Sequence, residues 1–272
     1  MRNGLSERTI QIEKCGLVAW IWLNRPEVHN AFDASLIAEL TAAFATLAND
    51  ADVRAIVLAA RGRSFSAGAD VQWMRQQGAA SIEENTADAR RLAELFRTIA
   101  ESTKPTIARV QGLALGGALG LISACDIAIG SSDAVFGASE VRLGLIPATI
   151  APYVVRAIGE RQARRLFQTG ERIDAAIAEK IGLLHEAVPA GQLDERIQEI
   201  TDAILAGAPL AQKAAKSLVS LVADRPITPA LIEETVERIA VCRSGAEAAE
   251  GLSAFLEKRP AAWLLKGGAR NV

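Results

Sequence analysis

The sequence predicts an α/β fold, on three observations. Short apolar segments of strand length alternate with segments whose apolar residues recur at helical spacing. Half of the 272 residues are hydrophobic, enough for a substantial core in one large or two modest domains. No stretch is of low complexity or reads as a flexible linker, so the chain is expected to pack along its length.

The elements follow in order. TIQIEKCGLVAWIWLNRP (9–26) alternates apolar and polar residues and predicts two strands joined by a tight turn near Lys14 to Gly16, ending at Arg25-Pro26 where a ladder would fail. DASLIAELTAAFATLAND (33–50) has helical spacing, with Asp33 or a neighbour as N-cap, and RAIVLAA (54–60) reads as a short buried strand. The unit repeats as a polar helix from Glu83 to Ala100, the strand PTIARV (105–110), a helix through QGLALGGALGLISACD (111–126), and short strands in CDIAIGSSDAVFGASEVRLG (125–144). From about Ala151 the pattern is mostly helical, broken near LLHEAVPA (183–190) and by prolines at 209, 226, 229 and 260. These readings divide the chain into a core over residues 1–200 and a helical region over 201–272.

Composition excludes several functions. Thirty basic against 32 acidic residues leave a net charge of −2 and no broad positive field, so nucleic acid and anionic membrane are not expected partners. The helix ENTADARRLAELFRTIAES (84–102) is mixed in charge, which argues against RNA in particular. Cys15, Cys125 and Cys242 are far apart and form neither a disulfide framework nor a metal-ligand spacing. The stretch MRNGLSERTIQIEK lacks an apolar signal core, and no apolar run approaches the roughly 18 residues of a membrane span. The expectation is a soluble, cytoplasmic protein without a metal.

Two small-residue corners could carry chemistry. Gly116 and Gly117 follow a strand and open a helix, where bare N–H groups meet the positive helix end and a developing negative oxygen could approach. Close packing of helix on sheet is the alternative reason for such glycines. The stretch is neither G-x-G-x-x-G nor a P-loop. A second corner, RSFSAGADVQWM (63–74), follows the strand RAIVLAA and opens a short helix. Two main-chain donors converging on one oxygen would form an oxyanion hole, each donor worth about 2.7 to 4 kcal/mol.

FSAGADVQWM, QGLALGGALGL, CDIAI, FGASEVRLGLIP and EGLSAFLEKRPAAW, in that order across nearly the whole chain, resemble the enoyl-CoA hydratase/isomerase (crotonase) family. The resemblance implies a spiral of repeated ββα units, a C-terminal helical region that makes a homotrimer or homohexamer, and an acyl-CoA thioester as substrate. Coenzyme A is then part of the substrate, and no separate cofactor is expected. Carried over by position, the N–H groups of Ala67 and Gly117 are the oxyanion donors. Ala67, Gly68, Ala69 and Asp70, with Gly116 and Gly117, border the acyl-CoA, and Lys258 presents a cation to a CoA phosphate. Glu140 is the acid/base.

A carboxyl at Glu140 beside an apolar run would have its pKa raised by desolvation, unless extended chain let Arg142 pair with it. Hydratases of the family usually carry a second glutamate where this chain has Gly120. One carboxyl suits a double-bond isomerase, or the chain could be a non-catalytic acyl-CoA binder. SAGADVQWM and residues 139–175, however, are similar to bacterial methylglutaconyl-CoA hydratases, which makes hydration of such a thioester the leading expectation.

The remaining candidates have plainer readings. His29 and His185 sit in no nucleophile-elbow pattern, which argues against a Ser-His-Asp hydrolase. His29 suits a turn or the CoA side of the cleft, and Trp73 and Met74 suit an acyl-pocket wall or plain packing. Lys258 and Arg259 complement a helix C-terminus before Pro260, Cys125 is a small buried residue, and Asp126 anchors local backbone.

Overall fold

A computed structural model describes residues 8–265; residues 1–7 of the N-terminal stretch read above lie outside it. Strands β1 (Ile10–Cys15) and β2 (Val18–Leu23) form the expected antiparallel hairpin. Asp33 caps α1 (Ala34–Ala48), its Oδ1 accepting the Leu36 N–H at 2.8 Å. Leu36, Ile37, Leu40, Phe44 and Leu47 form the helix's buried stripe. Strand β3 (Ala55–Ala60) follows, buried at every residue because both faces are covered.

Helix α2 (Val71–Gly78) leads to α3 (Ile82–Ala100), which opens on a capping box between Ser81 and Glu84. Strands β4 (Thr106–Val110) and β5 (Leu113–Leu115) precede α4 (Gly117–Ala124), and β6 (Ile127–Ser131) and β7 (Val135–Gly137) come after it. Helix α5 (Ala151–Thr169) is broken at Gly159. Strand β8 (Arg172–Asp174), α6 (Ala175–Lys180) and β9 (Glu186–Val188) lead to α7 (Leu193–Ala206). The chain then runs through α8 (Pro209–Val222), α9 (Pro229–Arg243), α10 (Ala246–Glu257) and α11 (Ala262–Leu265).

The main sheet has the order β1-β2-β3-β4-β6-β9, parallel except for the opening hairpin. A smaller sheet has the order β5-β7-β8. The larger core joins one face of the main sheet to α1, α3, α4 and α5, while Val18, Val57, Ile107 and Ile129 of the other face meet Leu193 and Ile197 of α7. Alternating residues of β3 serve the two cores, Ile56 and Leu58 the first and Ala55 and Val57 the second.

One expectation is corrected here. Residues 140–143 form a turn of 3-10 helix, not a strand, because Gly144 takes a left-handed conformation (φ 74°) that closes the turn. The chain after Ala151 is mostly helical and is broken by β9 within 183–190, as expected, while β8 adds a second short strand. Position 200 lies within α7, whose Ile197 is buried against the main sheet, so α7 packs as part of the core layer.

Candidate active site

The corner at 66–70 is held by a bridge between Phe32 and Ala69. Phe32 donates its N–H to Gly68 O (2.7 Å) and accepts from Asp70 N–H (2.8 Å). A parallel bridge of this register bonds the neighbours of Ala69 and turns the Ala69 N–H away from Phe32. That N–H has no acceptor among the described residues. Ala67, expected as the donor, gives its N–H to the His29 carbonyl oxygen at 2.9 Å. The Gly68 N–H goes to Ser66 Oγ at 3.2 Å. The expectation for Ala67 is therefore corrected, for its amide is committed to the fold and the free amide is two residues on.

At the second corner Gly116 has φ 55° and ψ −121°, a backbone that only glycine adopts readily, and donates its N–H to Gly137 O at 2.8 Å. Gly117 is the first residue of α4, so its N–H has no intrahelical acceptor. The two corners touch. A Cβ on Gly68 would lie 3.0 Å from Leu115 O and 3.8 Å from Gly116 Cα, and one on Gly116 would lie 3.2 Å from Glu140 Oε1. The Phe32 ring packs on Gly117 so closely that a Cβ there would stand 2.6 Å from Cε2.

Glu140 begins the 3-10 turn, and its buried Oε2 has no hydrogen-bond partner among the described residues. Burial pushes its carboxyl pKa above the ordinary value. The turn also separates it from Arg142, whose side chain lies against Gly170. Both corners and Glu140 line one cleft of about 560 Å³, whose walls include the apolar side chains of Phe32, Met74 and Ile150. Gly120 leaves no gap where a second acid could stand, because a Cβ there would be 2.6 Å from Ile150 Cγ2 and 2.7 Å from Phe96 Cε1.

The sequence model of the enoyl-CoA hydratase/isomerase family matches residues 13–266. The chain belongs to this family. It is similar to a short-chain-enoyl-CoA hydratase of Clostridium acetobutylicum, 34% identical over 91% of this chain and 94% of the relative. It is also similar to a crotonyl-CoA hydratase of Syntrophomonas wolfei, 31% identical over 96% of this chain and all of the relative. The crystal structure of an enoyl-CoA hydratase from Shewanella pealeana superposes with a TM-score of 0.91 at 43% identity, covering 94% of this chain and 96% of that one. The fold is that of the crotonase enzymes.

The other expected residues of this crotonase-family chain divide between the cleft and the scaffold. Trp73 and Met74 of α2 line it. Asp70 caps α2 and pairs with Arg25 at 3.2 Å, while Arg25 also reaches Asp33 at 3.0 Å. Lys258 ends α10 in a left-handed conformation (φ 53°), and neither it nor Asp70 lines the cleft. His29 turns the chain with φ 52° and bonds Ser64 Oγ through Nδ1 and Arg63 through Nε2, each at 2.9 Å. His185 Nδ1 accepts the Ala128 N–H at 3.0 Å. Burial pushes the Cys125 thiol up to about 12, so it is no nucleophile at neutral pH. Asp126 Oδ2 accepts from the Thr106 N–H and hydroxyl and from Lys216 Nζ, anchoring the start of β4.

Sequence reasoning missed Gln77, Asn85 and Asp88, which also line the cleft. The signal was the face of α3: Asn85, Asp88 and Leu92 share it at helical spacing, and two of the three are polar on the side that turns inward. Among the described residues no helix is long and apolar enough to cross a membrane, and no cluster of three His, Cys, Asp or Glu could hold a metal.

Proposed function

We propose that the protein is an enoyl-CoA hydratase that adds water across the 2,3 double bond of an acyl-CoA thioester. The observation that carries this reading is the convergence of a free Ala69 amide, the Gly117 amide and the buried, unpaired Glu140 carboxyl on one cleft. With the thioester oxygen between the two N–H groups, the negative charge that develops there when Cβ is attacked meets fixed dipoles. Donors on the main chain cannot titrate away. Glu140, as the carboxylate, takes a proton from the attacking water; as the acid so formed, it returns that proton to Cα. One carboxyl serves both steps, in keeping with the apolar filling beside Gly120.

An isomerase that shuttles one proton between Cα and Cγ is the second reading, favoured by the single carboxyl. Crotonyl-CoA in 18O-water separates the two, because hydration gives labelled 3-hydroxyacyl-CoA and isomerisation incorporates no oxygen. Glu140→Gln is expected to lower the hydration rate by about 10²–10⁴. A full rate in this variant would remove Glu140 from the mechanism. The carboxylated methylglutaconyl-CoA is the comparison substrate, although no Lys, Arg or His side chain lines the cleft among the described residues to meet its charge.

The same reading includes a homotrimer or homohexamer, with Lys258 against a CoA phosphate and coenzyme A as part of the substrate. The exposed apolar side chains of α8, α9 and α10 support the assembly. The three free cysteines support a reducing compartment such as the cytoplasm.

A further inference from the structure

The α2–α3 end of the cleft holds a set of polar groups that neither the fold nor the reaction above uses. Trp73 Nε1 and Gln77 Oε1 stand one turn apart on α2, both buried and both without a hydrogen-bond partner among the described residues. Asp88 of α3 is 5% exposed. Its carboxylate is ion-paired with Arg91 through Oδ1 at 2.6 Å. Asn85, one turn before it, ties the two helices together by donating to Gln77 O at 3.0 Å. Along α3, Asp88 is about 12 Å from Phe96, the ring beside Gly120. A buried donor and a buried acceptor left open cost stability unless a ligand engages them.

Resting on the hydratase reading, we propose that this end of the cleft is a subsite for an uncharged hydrogen-bonding group, a hydroxyl or carboxamide, on the far end of the acyl chain. The indole N–H is a donor only, and Gln77 Oε1 is an acceptor only. A group that both accepts and donates satisfies the two together. A carboxylate would satisfy Trp73 but offer Gln77 Oε1 no proton, and no cationic side chain in the lining among the described residues would offset its charge. An apolar chain end would leave every one of these groups open.

The test uses three 3-methyl-2-enoyl-CoA esters with chain ends of like shape, carboxamide, carboxylate and isopropyl, alongside crotonyl-CoA. The carboxamide ester is expected to exceed the other two in kcat/KM by at least about tenfold. Trp73→Phe keeps the ring and removes the N–H, so it should bring the carboxamide ester down toward the isopropyl one. Gln77→Met, checked for folding by thermal melting, should narrow the gap between carboxylate and carboxamide. The best turnover with isopropyl or carboxylate, or an unchanged carboxamide-to-isopropyl ratio in Trp73→Phe, overturns the subsite. Calorimetry of the saturated, unreactive thioesters reads the same preference without turnover. If no ester is hydrated but the carboxamide still binds best, the hydratase reading fails and the subsite stands; equal binding overturns the subsite too.

Discussion

Glu140 holds a carboxyl where its charge is disfavoured, and that has a consequence for stability as well as for proton transfer. Near the ordinary pKa of 4.5 the unfolded chain begins to lose this proton, while the folded chain, with its raised pKa, still holds it. The unfolded state then binds fewer protons, so stability falls as the pH rises, until the folded carboxyl has ionised as well. Glu140→Gln should therefore melt at a higher temperature than the parent above this window, with the gap closing below it. Melting curves across pH check this against the activity loss in the same variant. At Gly120 the expectation runs the other way. Gly120→Glu should not raise hydration, since its Cβ alone collides with Ile150 and Phe96, and overpacking costs about 1–3 kcal/mol before the buried charge is counted. Denaturant titration measures the loss, and a faster enzyme of unchanged stability would contradict the packing. The glycine corners and Glu140 were legible in the sequence, but the choice between the amides of Ala67 and Ala69 was not. That choice depends on the register of a bridge to Phe32, which lies far away in sequence.

At the scale of elements, two helices that begin beside the site share a cation. Asp33 caps α1, Asp70 caps α2, and Arg25 lies within salt-bridge distance of both carboxylates. Asp70→Ala removes the α2 cap and half of Arg25's pairing, and should cost about 1–2 kcal/mol. Because α2 carries Trp73 into the cleft, KM for acyl-CoA should rise in the same variant. A Asp70→Asn protein, still able to cap, should recover part of the stability, and equal losses in the two would argue against the cap. The hairpin, the Asp33 cap and the strand–helix alternation were readable from local pattern. The turn at 140–143 was not, because SEVRLG alternates like a strand and only the left-handed Gly144 closes it. The three-residue strands β8 and β9 were too short to carry a period, and they pair only because the sheets are already there.

For the whole molecule, the two cores draw their buried apolar residues from the chain between Ile10 and Ile197, whereas the C-terminal helices leave many of theirs in solvent. Phe255 and Leu256 of α10 are 81% and 78% exposed, and Val241 of α9 and Leu252 of α10 are exposed as well. Under the proposed assembly these form contacts between subunits. A Phe255→Asp, Leu256→Asp double variant should then dissociate, read as a fall in mass by light scattering, with the melting transition of the core retained. A parent that is already monomeric would end the assembly proposal.

Phe32 joins both corners at once, through backbone bonds to Gly68 and Asp70 and through its ring against Gly117. Under the proposed oxyanion reading, Phe32 thus couples the two corners whose amides would grip the oxygen. A change as mild as Phe32→Leu would then slacken that coupling and weaken the grip on the thioester while leaving every chemical group of the site in place.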